Sequence, residues 1–219
     1  MKPNDELGID QFLNDYPGIS LWPSRSSAVV LKGSFAFQAK PVSGPTITDS
    51  YELLITVPSA FPRALPKVVE TDSKIPRDGR HHVNPDRTLC LGSPVRLLSL
   101  ISSQPTLVGL AEKCIVPFLY AVSNKLLNGV DFLFNELAHG EKGIVDDYLE
   151  LFGVKTREQV IQVLNLLGTK RRIANKGPCP CGCGIRLGRC QFNMKLNKYR
   201  TMAPRSWFKG HVANIWVGM

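Results

Sequence analysis

Apolar residues fall at two different periods along the chain, and the change of period divides it. Ile9, Phe12, Leu13 and Tyr16 recur at near-helical steps within residues 8–16, and Pro17-Gly18 closes the segment, which predicts a short first helix. Two β-like runs follow at 27–39 and 50–58, separated by a stretch with the turn-forming pair Gly44-Pro45, and they predict an antiparallel pair. Pro62 and Pro66 then force an extended path into a third short run at Val68 and Val69. The expectation is a three-stranded meander, or four strands if the long first run splits at Gly33.

Beyond residue 100 the period becomes helical. Leu107, Leu110, Ala111, Cys114, Ile115, Phe118, Leu119 and Val122 step by threes and fours, which predicts a long amphipathic helix kinked at Pro117. A second helical segment is expected over about 130–152, interrupted at His139-Gly140 and Gly143. Thr156 with Gln159 forms a capping box that opens a third helix, and Gly168 stops it. After Gly168 the chain turns basic, glycine-rich and cysteine-rich, too polar to build a hydrophobic core of its own. The fold class expected is α+β: an antiparallel meander flanked by helices over residues 1–155, then a helix and a small cysteine module over residues 156–219.

Composition narrows the function classes. An apolar fraction of 43% and a charged fraction of 21% are ordinary for a globular protein, and no uninterrupted apolar run of membrane-spanning length stands out. The opening residues are acidic where a signal peptide needs a basic start, so a cytoplasmic location is expected, and with it six cysteines that act as thiols, metal ligands or a nucleophile rather than as disulfides. The formal charge of +9 is uneven. Residues 1–155 carry 15 Lys plus Arg against 17 Asp plus Glu, whereas residues 156–219 carry 12 against 1. A basic tail of this kind is either a solvated surface or a contact for an acidic partner such as nucleic acid or an acidic protein face.

Chemistry concentrates in two places. The first is HHVNPDRTLCLG, residues 81–92, which sets Cys90 beside His81, His82, Asn84 and Asp86. Cys90 reads as a nucleophile or as a small buried apolar residue, and Cys114, on the apolar face of the long helix, reads as core. The element order, together with Phe61-Pro62, Leu65-Pro66-Lys67-Val68, His82-Val83-Asn84 and Leu89-Cys90-Leu91, resembles the ubiquitin-conjugating enzyme family over about residues 1–152. The continuation FLFNELAHGEKGIVDDYLELFG is more similar to the bacterial branch of that superfamily, found in antiphage operons such as CBASS, than to the eukaryotic enzymes. Val83 replaces that family's proline, the spacing from His82 to Cys90 is short, and the tryptophan that follows the family's cysteine is absent.

The resemblance implies a thioester-forming transferase in a bacterial antiviral conjugation pathway. Cys90 would hold the C-terminal carboxyl of a modifier, either a cyclic-nucleotide synthase or a ubiquitin-like protein, delivered with or without a separate activating enzyme. The chemistry suits the residue, because a thiolate both attacks an acyl group and leaves from it. An Asn84 amide is placed to stabilise the oxyanion or to hold the loop. His81, His82 and Asp86 would lower the thiol's pKa or take the proton of the attacking amine, with His82 equally readable as structural. His139-Gly140 reads as a turn, and the bacterial resemblance makes it a contact to the active-site region. The alternative is a non-catalytic adaptor that uses its basic tail to bind a protein or nucleic acid.

The second place is Cys179-Pro180-Cys181-Gly182-Cys183-Gly184, closed by Cys190. Glycines let the backbone turn so that closely spaced thiolates converge, and four of them suit structural zinc. The pattern resembles the SEC-C type of zinc motif, whose ligands Cys179, Cys181 and Cys190 match; Gln191 stands where that motif has a further ligand, so the fourth is Cys183 or a returning His211. Around it Arg171, Arg172, Lys176, Arg186, Arg189, Lys195, Lys198 and Arg200 are interleaved with Phe192, Tyr199, Trp207, Phe208 and Trp216. This mixture suits docking on a protein, packing within the module, or stacking on nucleic acid.

Overall fold

In the computed structural model, residues 6–42, 44–130 and 141–216 are described. Contacts divide the chain into two compact units, Met1–Glu136 and Leu137–Met219. The first is α+β. Helix α1 (Ile9–Asp15) leads into β1 (Ile19–Trp22), β2 (Val29–Ala39), β3 (Ile47–Val57) and β4 (Lys67–Glu70). They form a four-stranded antiparallel sheet in the order β1-β2-β3-β4.

The meander has four strands because β1 is added, while β2 runs unbroken through Gly33. Gly33 is instead the point of closest approach. At φ +139° it faces Gly18, and a Cβ on Gly33 would lie 2.2 Å from the Gly18 carbonyl oxygen. Only glycine fits there, and the Ser34 N–H then donates to Gly18 O at 3.0 Å, anchoring the start of β1. The segment ISLW gives little sequence warning, since of its four side chains only Ile19 is buried.

One face of the sheet is covered by helices. Leu31, Phe35, Leu53 and Ile55 have no exposed surface, and they pack with Phe12 of α1 and with Leu107, Ala111, Ile115, Leu119 and Val122. The last five lie on α3 (Leu107–Asn128), preceded by α2 (Pro94–Ser103). The Ser93-Pro94 start and the spacing of Val95, Leu98 and Ile101 mark α2 in the sequence, where it passes unnoticed as part of the loop region. A π-helical turn at Ala111–Ile115 sits just ahead of Pro117 and is where α3 departs from regular geometry. By length and apolar content α3 meets the criterion for a membrane span, but 78% of its most apolar window is buried inside the protein, as expected of a core helix.

A polar network joins sheet to helix. The Tyr51 hydroxyl lies 2.7 Å from Ser123 Oγ, which donates to Asp49 Oδ2 at 2.8 Å, while Lys74 pairs with Asp49, donates to Ser50 O at 2.9 Å and lies over the Tyr51 ring. Burial alone would raise the Asp49 pKa, but the hydrogen bonds from Lys74, Ser123 and the Ser50 N–H outweigh it and hold the carboxyl below its ordinary value.

The second unit is helical: α4 (Glu141–Phe152), α5 (Arg157–Gly168), α6 (Arg171–Ala174), α7 (Phe192–Met202) and α8 (Arg205–Trp216). The sequence assigns residues up to 155 to the first domain; by contacts α4 belongs with the C-terminal helices and packs on α5. Gly143 lies inside α4 rather than breaking it, and His139-Gly140 falls outside the described residues. The capping box is present: Gln159 N–H donates to Thr156 Oγ1 at 3.3 Å and Thr156 N–H donates to Gln159 Oε1 at 3.1 Å.

The segment after Gly168 is not coreless. Leu187, Leu196, Tyr199, Met202, Ala203 and Phe208 are buried together with Tyr148, Phe152, Val160, Val163, Leu164 and Leu167. A polar tail acquires a core by sharing that of α4 and α5, so its own composition understates what it can bury.

Candidate functional site

Cys90 lies after β4, in a loop fixed by backbone bonds. The Leu89 N–H donates to Val68 O at 2.8 Å, and isolated bridges pair Val69 with Thr88 and Val83 with Leu89. The chain 82–90 thereby folds into a tight hairpin, with Arg87 at φ +67° in its turn, and the Cys90 N–H donates to His82 O at 2.8 Å. Leu89 turns inward, 6% exposed, while Cys90 is half-buried.

Each predicted partner is placed in turn. Asn84 uses its side-chain amide to donate to Thr88 Oγ1 at 3.0 Å, and its N–H donates to Thr88 O at 2.9 Å. Asp86 Oδ1 accepts from Thr88 Oγ1 at 2.6 Å and from Thr88 N–H at 3.1 Å, with Lys67 at 3.7 Å. Those hydrogen bonds, first from the Thr88 hydroxyl, hold the Asp86 carboxyl below its usual range. His81 Nδ1 lies 2.8 Å from Asp78 Oδ1, which also accepts from His81 N–H at 3.0 Å. His82 closes the 3-10 turn Gly79–His81 in the left-handed region, φ +54°.

Asn84, Asp86 and His81 therefore shape the loop. Thr88 and Asp78, which do most of that bonding, escape a reading that looks for reactive groups. Asp78, directly before Gly79 and three residues before His81, is legible as a local turn cap. Burial raises the Cys90 thiol above its ordinary value, with a hydrogen bond from the Gly92 N–H opposing. The two causes at Cys90 are thus burial and a backbone amide, and the pKa moves upward, contrary to the expectation that His81, His82 or Asp86 lowers it. Cys114, 3% exposed, is core as expected, and burial pushes its thiol up to about 11.

In the second unit, Cys179, Cys181, Cys183 and Cys190 bring their sulfurs within 4.8 Å of one another, an arrangement that could hold a metal ion. Cys181 Sγ and Cys183 Sγ each lie 3.7 Å from Cys190 Sγ, and Cys179 Sγ lies 3.2 Å from Cys181 Sγ. A tetrahedron of thiolates with bonds of about 2.3 Å has edges of about 3.8 Å, so the spacing is consistent with zinc.

The backbone is built around these sulfurs. Each accepts from the N–H two residues on: Cys179 from Cys181, Cys181 from Cys183, Cys183 from Ile185, and Cys190 from Phe192 at 3.4 Å. Gly182 at φ +81° and Gly184 at φ +76° supply the turns that this repeat requires. Amide donors aimed at sulfur favour the charged form, and the Ile185 N–H together with the neighbouring thiols brings Cys183 down to about 7.

His211 does not return to the cluster. Its Nε2 lies 2.6 Å from the Tyr148 hydroxyl and its ring stacks on Trp207 at 4.8 Å, and burial lowers it to about 4. Cys183 is the fourth residue the fold supplies. The Tyr148 and His211 pairing, 63 residues apart in sequence, carries no local pattern from which it could be read. The chain matches no model of a known protein family, no curated protein and no solved structure.

Proposed function

We propose that the protein is a ubiquitin-conjugating-like transferase that carries a protein C-terminus as a thioester on Cys90 and passes it to an amine, within a bacterial antiviral conjugation pathway, with its second unit ordered by structural zinc. The observation that carries this reading is the placement of Cys90. It is half-buried on a loop pinned both to β4 and to His82, in a chain whose order of helix, antiparallel meander, cysteine loop and long helix is the order the sequence resemblance leads one to expect, with α2 added ahead of the long helix. A pinned backbone fixes where an acyl group on the sulfur would sit, and so where an incoming amine must approach. Attack would join the amine nitrogen to the acyl carbon, break the carbon–sulfur bond and return the proton to the sulfur or solvent.

The test is a protein adduct on the full chain in cells of its host. A reducing-agent-sensitive adduct should form, disappear in Cys90→Ala and become stable in Cys90→Lys; a labile adduct that survives in Cys90→Ala overturns the proposal. The raised Cys90 pKa and the engagement of Asn84 with Thr88 favour a second reading, an adaptor whose fold only scaffolds a partner. That reading predicts no adduct in any variant. For the metal, the four converging sulfurs with their amide donors support zinc over free thiols.

A further inference from the structure

From Gln159 to Met219 the chain carries eleven Lys and Arg and not one Asp or Glu. Stacking on bases and anchoring on a protein both need exposed aromatics, and the structure takes Tyr199 and Phe208 from the surface and leaves Phe192 and Trp207 half-buried. Phe208 and Tyr199 are buried, Tyr199 packs edge-on to Phe152, and Trp207 is engaged by Phe208 and His211. Tyr199 and Phe208 fill the core and Trp207 is half-buried against its ring neighbours, so little of these rings is left for stacking on bases or anchoring a protein.

What remains outside is cationic. Lys170, Arg171, Arg172, Lys176, Arg186, Arg189, Lys198, Arg205 and Lys209 are all exposed. Several of them converge. Backbone bonds from Cys179 N–H to Ile185 O, Leu187 N–H to Gly177 O and Gly188 N–H to Asn175 O zip residues 175–179 to 185–188. Lys176 is thus carried on one arm and Arg186 on the other, with Arg171 and Arg172 on α6 just before the first arm and Arg189 just after the second. Arg200 on α7 lies near enough to Arg171 to be repelled by it, but its Nη1 donates to Asn193 and Asn197 and its Nε and Nη2 are buried, so it stands behind the exposed cations rather than among them.

We infer that the second unit binds the phosphate backbone of nucleic acid, without regard to base sequence, through the cations carried on the zipped cysteine loop and the adjoining helices. A protein surface normally mixes both signs of charge, because each carboxylate limits self-repulsion. Excluding every carboxylate from 61 residues suits a ligand that presents negative charge continuously and in any register. Six of the eleven cations are arginine, whose planar fork meets phosphate oxygens in pairs. This role is independent of Cys90 chemistry.

The experiment is fluorescence anisotropy of the zinc-loaded full chain with labelled duplex DNA and single-stranded RNA of mixed sequence, alongside poly-glutamate and phosphatidylserine vesicles. Binding to at least one nucleic acid is expected, indifferent to its sequence, with log affinity falling linearly in log salt at a slope near −0.9 per phosphate contacted on duplex. Arg172→Glu with Arg189→Glu should weaken it by about tenfold or more and flatten the slope, whereas Arg25→Glu with Lys40→Glu in the first unit, an equal change in charge, should not. Retained zinc stoichiometry in the first pair excludes misfolding. No binding at 50 mM salt, equal loss in both pairs, or nucleic-acid binding no tighter than that of poly-glutamate or the vesicles would overturn the inference. Comparing the two probes shows whether duplex DNA or single-stranded RNA is the preferred source of the phosphates.

Discussion

Cys90 and His82 are joined across the loop by the Cys90 N–H, which donates to the His82 carbonyl at 2.8 Å. The bond fixes the backbone at Cys90 and leaves the thiol half-buried, whereas Cys114 is almost completely enclosed in the core. Cys90 should therefore react with a small alkylating probe faster than Cys114. Because burial raises its pKa, the rate should keep climbing with pH beyond the range in which an ordinary thiol has levelled off. Mass spectrometry of the alkylated peptides across pH 7 to 10 decides it, and equal rates would favour the adaptor reading.

The hydroxyl of Ser123 is shared between Tyr51 and Asp49. Ser123→Ala leaves both facing an apolar methyl in a buried setting and should destabilise the first unit by about 1–3 kcal/mol, measured by urea unfolding. The Asp49 carboxyl, held below its ordinary value, contributes stability above its unfolded pKa of about 4 that is lost as pH falls through the folded value. Asp49→Asn should accordingly show less acid destabilisation than the wild type below about pH 5.

Tyr148 and His211 form the corresponding lock in the second unit. His211 is lowered to about 4 by burial, so the unfolded chain binds a proton there more readily than the folded one. Stability of this unit should fall as pH drops from about 6.5 towards 4, by up to about 3 kcal/mol, and His211→Gln should lose that component. Fluorescence of the neighbouring Trp207 during denaturant titration, at pH 7 and pH 5, reads the difference.

Native mass spectrometry should find one zinc per chain. Cys181→Ser should abolish it, since that sulfur lies 3.2 Å from Cys179 and 3.7 Å from Cys190. Ser123→Ala, in the other unit, should keep the metal.

Periodicity in the sequence locates α1, β2, β3, β4 and the long core helix, because each of these has a continuous face against one core. It misses β1, where a single buried residue and two glycines in close approach do the work. It misjudges the tail for a related reason: the apolar residues at 187, 196, 199, 202, 203 and 208 are too sparse to signal a core until Tyr148 and Phe152 supply the other side. Three of the sulfurs, those of Cys179, Cys181 and Cys190, are legible from the motif because glycine turns bring near neighbours together. The fourth member is not, since choosing between Cys183 and His211 depends on a tyrosine 63 positions away from the histidine. In the Cys90 loop, residue types suggest reactive groups, and hydrogen bonds to Thr88 and Asp78 occupy several of them.

The zipped arms at 175–179 and 185–188 change how the cysteine loop meets an ion. Chain entropy normally opposes the gathering of distant ligands, but here peptide hydrogen bonds have already closed the ring that contains Cys179, Cys181 and Cys183. An arriving cation meets three sulfurs on a preset curve and needs only the fourth from the start of α7. Withdrawing the ion with an external chelator should thus loosen the junction with that helix before it unravels the loop, an order that hydrogen exchange at the amides of 185–188 against those of 192–194 would reveal.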